Sequence, residues 1–464
     1  MKMAPSGKIL LGLLHSSEVY MRVKKSKTAF ILFASFFIFS ACDFNNLKER
    51  IVITEENNEL PETEVETETE LPLENESKPK KLLLLVYMAA DNDLESFAIQ
   101  NLKQMEHAVF RDMELLVLLD RAEGYDETNG NWTDTRLFEV CHDDSDSSLI
   151  VSKRLSCSAL GLGADCETEL DLGNYTVLKN FINFGKTWCE AEQYALIIWG
   201  HGTGWRAVAI DDRTSTFISV KDLGLALKDQ GLSVIGFDTC FGGVIENLFE
   251  IKDSSQYIVA SPGITPSGGW DYKKLLETIS ESNFSTESLA NAMAESSSAL
   301  ISVFTNSKLS DVMTAFEDFS EKLSACIYDN SSRQNIFTTL FGLQSYNYSK
   351  YPCDMYLDLA GMADYFINDS GNSQVSLTVK TCAEKLKMAV NEAVNTSNSA
   401  DGRIGVHFIP MTGPRTAASS HSSDYIKDSD NSNQCSFIQN SEFWVPTKKG
   451  DSESLLDKLF YAFF

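Results

Sequence analysis

The chain has 464 residues, with 66 acidic against 39 basic side chains and a formal charge of −27. That length suffices for a large core and about two to four domains. The charge excludes a nucleic-acid backbone as partner and implies a soluble, self-repelling surface. Ten cysteines make the compartment matter, and no internal repeat interrupts the chain.

The segment Lys24–Cys42, KKSKTAFILFASFFIFSAC, joins a basic start to an apolar run of secretory length. It reads as a signal peptide, too short and wrongly flanked for a stable membrane span. Its end, Phe39-Ser40-Ala41-Cys42, resembles a bacterial lipobox, with Phe39 where an aliphatic residue is usual. The match implies cleavage before Cys42 and acylation of its thiol; an ordinary secretory signal is the alternative. Met21 makes the more natural start, which would place residues 1–20 outside the product. Residues 43–80 are Glu-, Thr- and Pro-rich with little to bury, and read as a solvated acidic linker.

Order begins at Lys81. KLLLLVYMAA predicts a strand, after which Asp91, Asn92 and Asp93 are placed to cap a helix through Asn101 and Met105. Strands follow at 113–121 and 135–140. Cys141–Gly173 reads as irregular, and Cys157 and Cys166 within it are placed for a disulfide if the chain is exported. Tyr175–Glu190 predicts a helix, ALIIW (195–199) a strand, AVAIDDRTSTFI (207–218) an excursion, and Ser219–Gln230 a helix. VIGF (234–237) is the next strand, then a helix over Val244–Ile251, a strand over 256–263 and a turn-rich loop over Ile264–Tyr272. Residues 272–323 read as helical. The patterns at 355–366 and 377–394 predict helices, RIGVHFIP (403–410) a strand, 412–433 a polar loop and 455–464 a short helix.

Two of these strands end in reactive side chains: Gly200-His201-Gly202 and Asp238-Thr239-Cys240, with Gly242 and Gly243 behind. Short apolar runs separated by helices predict a mostly parallel sheet, whose ligands sit at the strands' carboxyl ends. A thiol and an imidazole meeting there suit nucleophilic thiol catalysis. Read alone, a cysteine such as Cys240 is more often a buried structural thiol. Its place before a Gly pair and a helix favours the nucleophile, because a helix amino terminus lowers a thiol's pKa. His201 lacks nearby partners at zinc-ligand spacing, so no metal is expected there. Asp238 suits either a substrate contact or a turn carboxylate. Trp205 and Trp270 are cleft-wall candidates or core.

YMAADNDLE, IIWGHGTGW, GFDTCFGGVIENLFEI, VASPGITPSGGWDY and GVHFIP together resemble the clostripain family of cysteine peptidases, relatives of caspases and gingipains. The resemblance runs from about Lys81 to the C-terminus. It implies a caspase-like α/β/α sandwich over 81–340, with a mixed α/β region over 341–464 packed on it. His201 would be the general acid/base and Cys240 the nucleophile. The oxyanion would be held by the backbone N–H groups of Gly202 and Cys240. Family members commonly cut after Arg or Lys using acidic pocket residues; Asp238 matches one, whereas the second position is Gly268. Several relatives cut themselves between the His and Cys strands, where Arg213 lies, and respond to calcium. Hydrolysis itself requires no cofactor. The expectation is therefore a monomeric, exported, lipid-anchored endopeptidase acting on proteins or peptides. A non-catalytic surface-binding lipoprotein and a thioester-forming transpeptidase are the alternatives.

Overall fold

The computed structural model describes residues 78–145, 147–343, 345–347, 355–368, 377–397 and 404–408, which belong to one compact unit. The signal peptide, Cys42, the acidic linker, the 412–433 loop and the 455–464 helix lie outside the described residues.

The Leu-rich run forms β1 (Lys80–Ala90), buried on both faces from Leu82 onward, as a central strand covered by two helical layers must be. Helix α1 (Glu95–Glu106) leads to β2 (Met113–Arg121), parallel to β1, and β3 (Thr135–Glu139) and β4 (Lys153–Leu155) add antiparallel beyond it. Helix α2 (Tyr175–Trp188) returns the chain to β5 (Ala191–Gly200), on the other side of β1. The expected excursion is a hairpin of β6 (Ala207–Asp211) and β7 (Thr216–Ser219). Then come α3 (Val220–Leu227), β8 (Val234–Asp238), α4 (Ile245–Glu250) and β9 (Tyr257–Ala260). Helices α5 (Tyr272–Glu281) and α6 (Thr286–Ser296) precede β10 (Ser302–Thr305), α7 (Leu309–Ser324) and α8 (Asn330–Phe341). The last third holds β11 (Ser345–Asn347), β12 (Met355–Asp358), α9 (Leu359–Asn368), α10 (Leu377–Ala393), β13 (Val394–Ser397) and β14 (Gly405–Phe408).

The nine-stranded sheet has the order β13-β10-β9-β8-β5-β1-β2-β3-β4. Its middle, β9 to β2, is parallel, and the flanks are antiparallel. Alternate residues of β1 serve two cores. Leu83, Leu85 and Tyr87 pack towards α2, α3, α7 and α10, whereas Leu82, Leu84 and Val86 pack towards α1, α5 and α6. This is the expected α/β/α sandwich. From β1 the chain turns first to β2 and later to β5 on the opposite side, so the switch point lies between β1 and β5.

Several local expectations need correction. The segment 141–173 contains β4, three residues long and too short for an alternating pattern to show. Residues 272–323 are interrupted by β10, and the helix expected at 355–366 begins as strand β12. Cys157 and Cys166 are free thiols, the first buried and the second exposed. The region beyond residue 340 also contributes a strand, β13, to the main sheet. It is therefore built into the sandwich as well as packed on it.

Candidate active site

Pairing in β5 and β8 sets Trp199 opposite Asp238. His201 and Cys240, each two residues beyond that pair, line one cavity, so the fold closes a 39-residue separation. The contact is tighter still at the next residue. A Cβ on Gly202 would collide with the Cys240 carbonyl oxygen and with Thr239, so glycine is required where the two strand ends abut. Gly200, at φ +134, turns the chain out of β5 just before the histidine.

His201 Nε2 lies 2.6 Å from Asp93 Oδ1. A carboxylate oxygen accepts, so Nε2 is the donor in this hydrogen bond and Nδ1 is the ring nitrogen left for proton transfer. Asp93 is therefore not the helix cap the sequence suggested. Neither is Asp91; Leu94 occupies the N-cap position of α1 without a side-chain cap. Asn92 is spent on fastening the turn, donating to Ala89 O at 3.0 Å and Ile210 O at 2.9 Å, while its Oδ1 accepts from the Leu94 N–H.

Cys240 ends the Asp238-Thr239-Cys240 run ahead of Phe241, whose φ of +55 makes the turn sharp. Asn247, wholly buried, donates to the Phe241 carbonyl and steadies this turn. The Cys240 Sγ accepts from Thr265 N–H at 3.4 Å. Burial pushes the thiol's pKa up, the Thr265 N–H draws it down, and Asp238 adds to the rise. The expected helix-terminus effect does not govern this thiol: α4 begins only at Ile245 and is six residues long.

Asp238 is buried at the base of the same cavity, about 190 Å3 in volume, lined also by Leu94, His201, Cys240, Ile264 and Pro266. Its Oδ2 accepts from Trp270 N–H and the Tyr272 hydroxyl, each at 3.0 Å. Oδ1 has no partner among the described residues. Burial raises the carboxyl pKa to about 7.

The remaining expected residues fall differently. Trp205 and Trp270 are core side chains, 2% and 1% exposed, on opposite faces of the sheet. Neither lines the cavity; Trp199 does, and Trp270 serves Asp238 through its backbone. Large apolar rings beside a strand end are drawn into the core by the area they bury. Gly268 has open space where a side chain would project. Arg213 sits in the β6–β7 turn, paired with Glu169 at 3.0 Å and donating to Thr133 O at 3.1 Å.

The sequence reading missed Thr265 and Tyr356. The Tyr356 hydroxyl donates to Thr203 O at 2.8 Å and accepts from Trp205 N–H at 3.4 Å, and its ring stacks on Phe241 at 4.9 Å. One residue from the last third thus clamps the loops carrying both His201 and Cys240. No spacing signal could reveal a contact across about 150 positions.

A histidine and a cysteine on adjacent strand ends of a caspase-like α/β/α sandwich define the thiol-hydrolase class. The family model described as Peptidase_C11, clostripain family, matches residues 86–444, and the chain belongs to that family of cysteine peptidases. Clostripain of Hathewaya histolytica is 24% identical over 263 residues, 51% of this chain and 46% of the relative. The chain thus spans about half the length of that curated relative. Among solved structures, an inactive zymogen C11 protease from Parabacteroides distasonis is similar at TM-score 0.54 and 17% identity, over 78% of this chain and 98% of that one. A secreted C11 cysteine protease from Bacteroides thetaiotaomicron, bound to an irreversible peptide inhibitor, is similar at 0.51 and 18%, over 75% and 97%. These likenesses concern the fold.

Proposed function

We propose that the protein is a cysteine endopeptidase in which Cys240 attacks the scissile carbonyl and His201 moves the proton. The observation that carries this is the abutment of Gly202 on the Cys240 peptide, with His201 and Cys240 lining one cavity. A thiol held neutral by burial needs a base, and the Nδ1 lone pair of His201 supplies one. The proton then passes to the leaving amine. Water, deprotonated by His201, hydrolyses the thioester. The N–H groups of Gly202 and Cys240 are the oxyanion donors in this reading.

Asp238, with one free carboxylate oxygen at the base of the cavity, selects Arg or Lys at P1. Arg213, in an exposed hairpin turn, is the candidate for self-cleavage. The chain is exported by the Lys24–Cys42 segment and held to the envelope through Cys42. Among the described residues, no helix is long and apolar enough to cross a membrane.

The test is a P1-varied peptide library incubated with the protein and its Cys240→Ala variant, read by mass spectrometry. Cleavage after Arg or Lys by wild type alone is expected. Folded wild type that cuts nothing and resists thiol alkylation at Cys240 would leave the binding-lipoprotein reading. Amide products formed only with added amine would indicate a transpeptidase.

A further inference from the structure

Asn101 lies midway along α1 and is 1% exposed, among the buried Ala98, Leu102 and Met105. Asparagine is a weak helix former, and a buried amide is costly unless it is hydrogen-bonded. Both of its partners belong to the cleft. Its Oδ1 accepts from the Trp199 indole N–H at 2.9 Å, and its Nδ2 donates to the Gly268 carbonyl at 3.0 Å. An indole only donates and a carbonyl only accepts, so the amide orientation is fixed by these two partners. Trp199 lines the cavity, as do Pro266, Ser267 and Gly269 of the turn that includes Gly268; Asn101 itself does not.

That turn bears directly on Asp238. Gly269 N–H closes it on the Pro266 carbonyl at 2.9 Å, with Gly269 at φ +66. A Cβ on Gly269 would lie 2.5 Å from Asp238 Oδ2 and 3.2 Å from Asn101 Oδ1, so the turn is packed against both side chains. The next residue, Trp270, gives its N–H to Asp238 Oδ2. Gln104, three residues beyond Asn101, accepts the Tyr272 N–H at 3.0 Å, and the Tyr272 hydroxyl is the second donor to Oδ2. Helix α1 thus grips, at two points, the segment that supplies both donors to the carboxylate. The terminal torsion of an aspartate is broad, so these partners decide which of its oxygens is left for a ligand.

We propose that Asn101 is a specificity-positioning residue: by holding the Gly268 carbonyl and the Trp199 indole, it fixes the turn that orients Asp238 and keeps Oδ1 available to the P1 side chain. This rests on the reading in which Asp238 meets P1. In the sequence, an asparagine in mid-helix carries no mark of such a role, because both partners lie about 100 or more positions away.

The test compares the parent chain with Asn101→Ala, which favours the helix, and Asn101→Leu, which is closer in size. Two peptides differing only at P1, Arg against citrulline, are assayed above pH 7, where the Asp238 carboxyl is ionised. The Arg-over-citrulline ratio of kcat/KM is expected to fall by about 10-fold, the worth of one hydrogen bond, mainly through KM of the Arg peptide. Alkylation of Cys240 by iodoacetamide, which makes no use of a P1 pocket, should keep its rate and pH profile. In parallel, fluorescence anisotropy follows binding of both peptides to the full chain carrying Cys240→Ala, with and without Asn101→Ala. The same loss of preference is expected there. An unchanged ratio in a folded variant overturns the inference. An equal fall for both peptides with slower alkylation overturns it too, because the whole site is then damaged. If one variant fails to fold the other decides, and if both fail Asn101 is structural and the inference falls. A parent chain that prefers Arg in neither assay also removes it. If the parent cuts neither peptide but binds the Arg peptide in an Asn101-dependent way, the peptidase reading fails and the positioning role stands.

Discussion

At Cys240 the surroundings oppose ionisation: burial raises the thiol's pKa and Asp238 raises it further. The proposed dyad would therefore work by assisted proton transfer, which would make the state of His201 decisive. Asp93 acts on that state as a positioning residue, through Nε2. Its side chain is 65% exposed, so its hold is weaker than that of a buried triad aspartate. Asp93→Ala is expected to lower kcat by about 10- to 100-fold with KM nearly unchanged. Asp93→Asn, which keeps an acceptor, should recover most of the loss, and steady-state kinetics on one peptide decides both. A second residue-scale prediction concerns Asp238, whose carboxyl burial pushes up to about 7. Only its ionised form attracts a cationic P1 side chain. The ratio of kcat/KM for Arg over its neutral analogue citrulline should therefore climb as pH rises through 7, since kcat/KM reports the free enzyme. In Asp238→Asn the ratio should stay low and flat. The sign for stability is opposite. The folded chain keeps this proton up to about 7 while the unfolded chain has released it, so Asp238 favours folding on acidification through neutrality.

Element scale is where the sequence was most legible, and where its limits have physical causes. Strands β1, β2, β5 and β8 announce themselves because burial on both faces demands unbroken apolar runs. His201 and Cys240 were readable because each directly ends such a run. Short strands such as β4 and β10 carry too few residues for a period to emerge. Asp93 was misread because an Asp before a helix looks the same whether it caps the helix or faces a histidine. For Trp205 and Trp270 cleft wall and core stayed open because sequence does not say on which side of a strand end a ring falls. The junction of β5 and β8 yields its own prediction. In Gly202→Ala the new Cβ meets the Cys240 backbone carbonyl, which no side-chain rotation can relieve. The two strand ends must separate, and misplacement on the order of 1 Å costs about 10²-fold in rate. Alkylation of Cys240 by iodoacetamide should persist while peptide cleavage falls by that factor. An unchanged kcat would mean that the abutment has no part in catalysis.

Across the whole molecule, the described residues beyond 340 behave as part of the sandwich. Strand β13 closes one edge of the main sheet against β10, and α10 lays Val379, Ala383, Leu386 and Val390 into the core shared with α7 and α9. Tyr356 reaches from β12 to the loops carrying His201 and Cys240, and Gly405 N–H bonds the Gly243 carbonyl behind Cys240. If this region were a detachable cover, a chain ending at Leu343 would fold and merely lose affinity or protection. The magnitudes argue otherwise. Each large aliphatic side chain buried contributes about 1.5–3 kcal/mol, so Val379, Leu386 and Val390 of α10 alone approach the ~5–15 kcal/mol by which a domain is stable. The truncated chain is therefore expected to lack a cooperative thermal transition and near-ultraviolet circular dichroism. Tyr356→Phe in the full chain separates the catalytic contribution from the structural one. The ring still stacks on Phe241, while the Thr203 carbonyl loses its hydroxyl donor, at a cost of about 1–3 kcal/mol. That variant should unfold cooperatively at a lower Tm and lose kcat through the loosened His201 loop. If the truncated chain instead folds and cleaves peptides like the parent, the boundary belongs near residue 340 and the last third is an accessory layer.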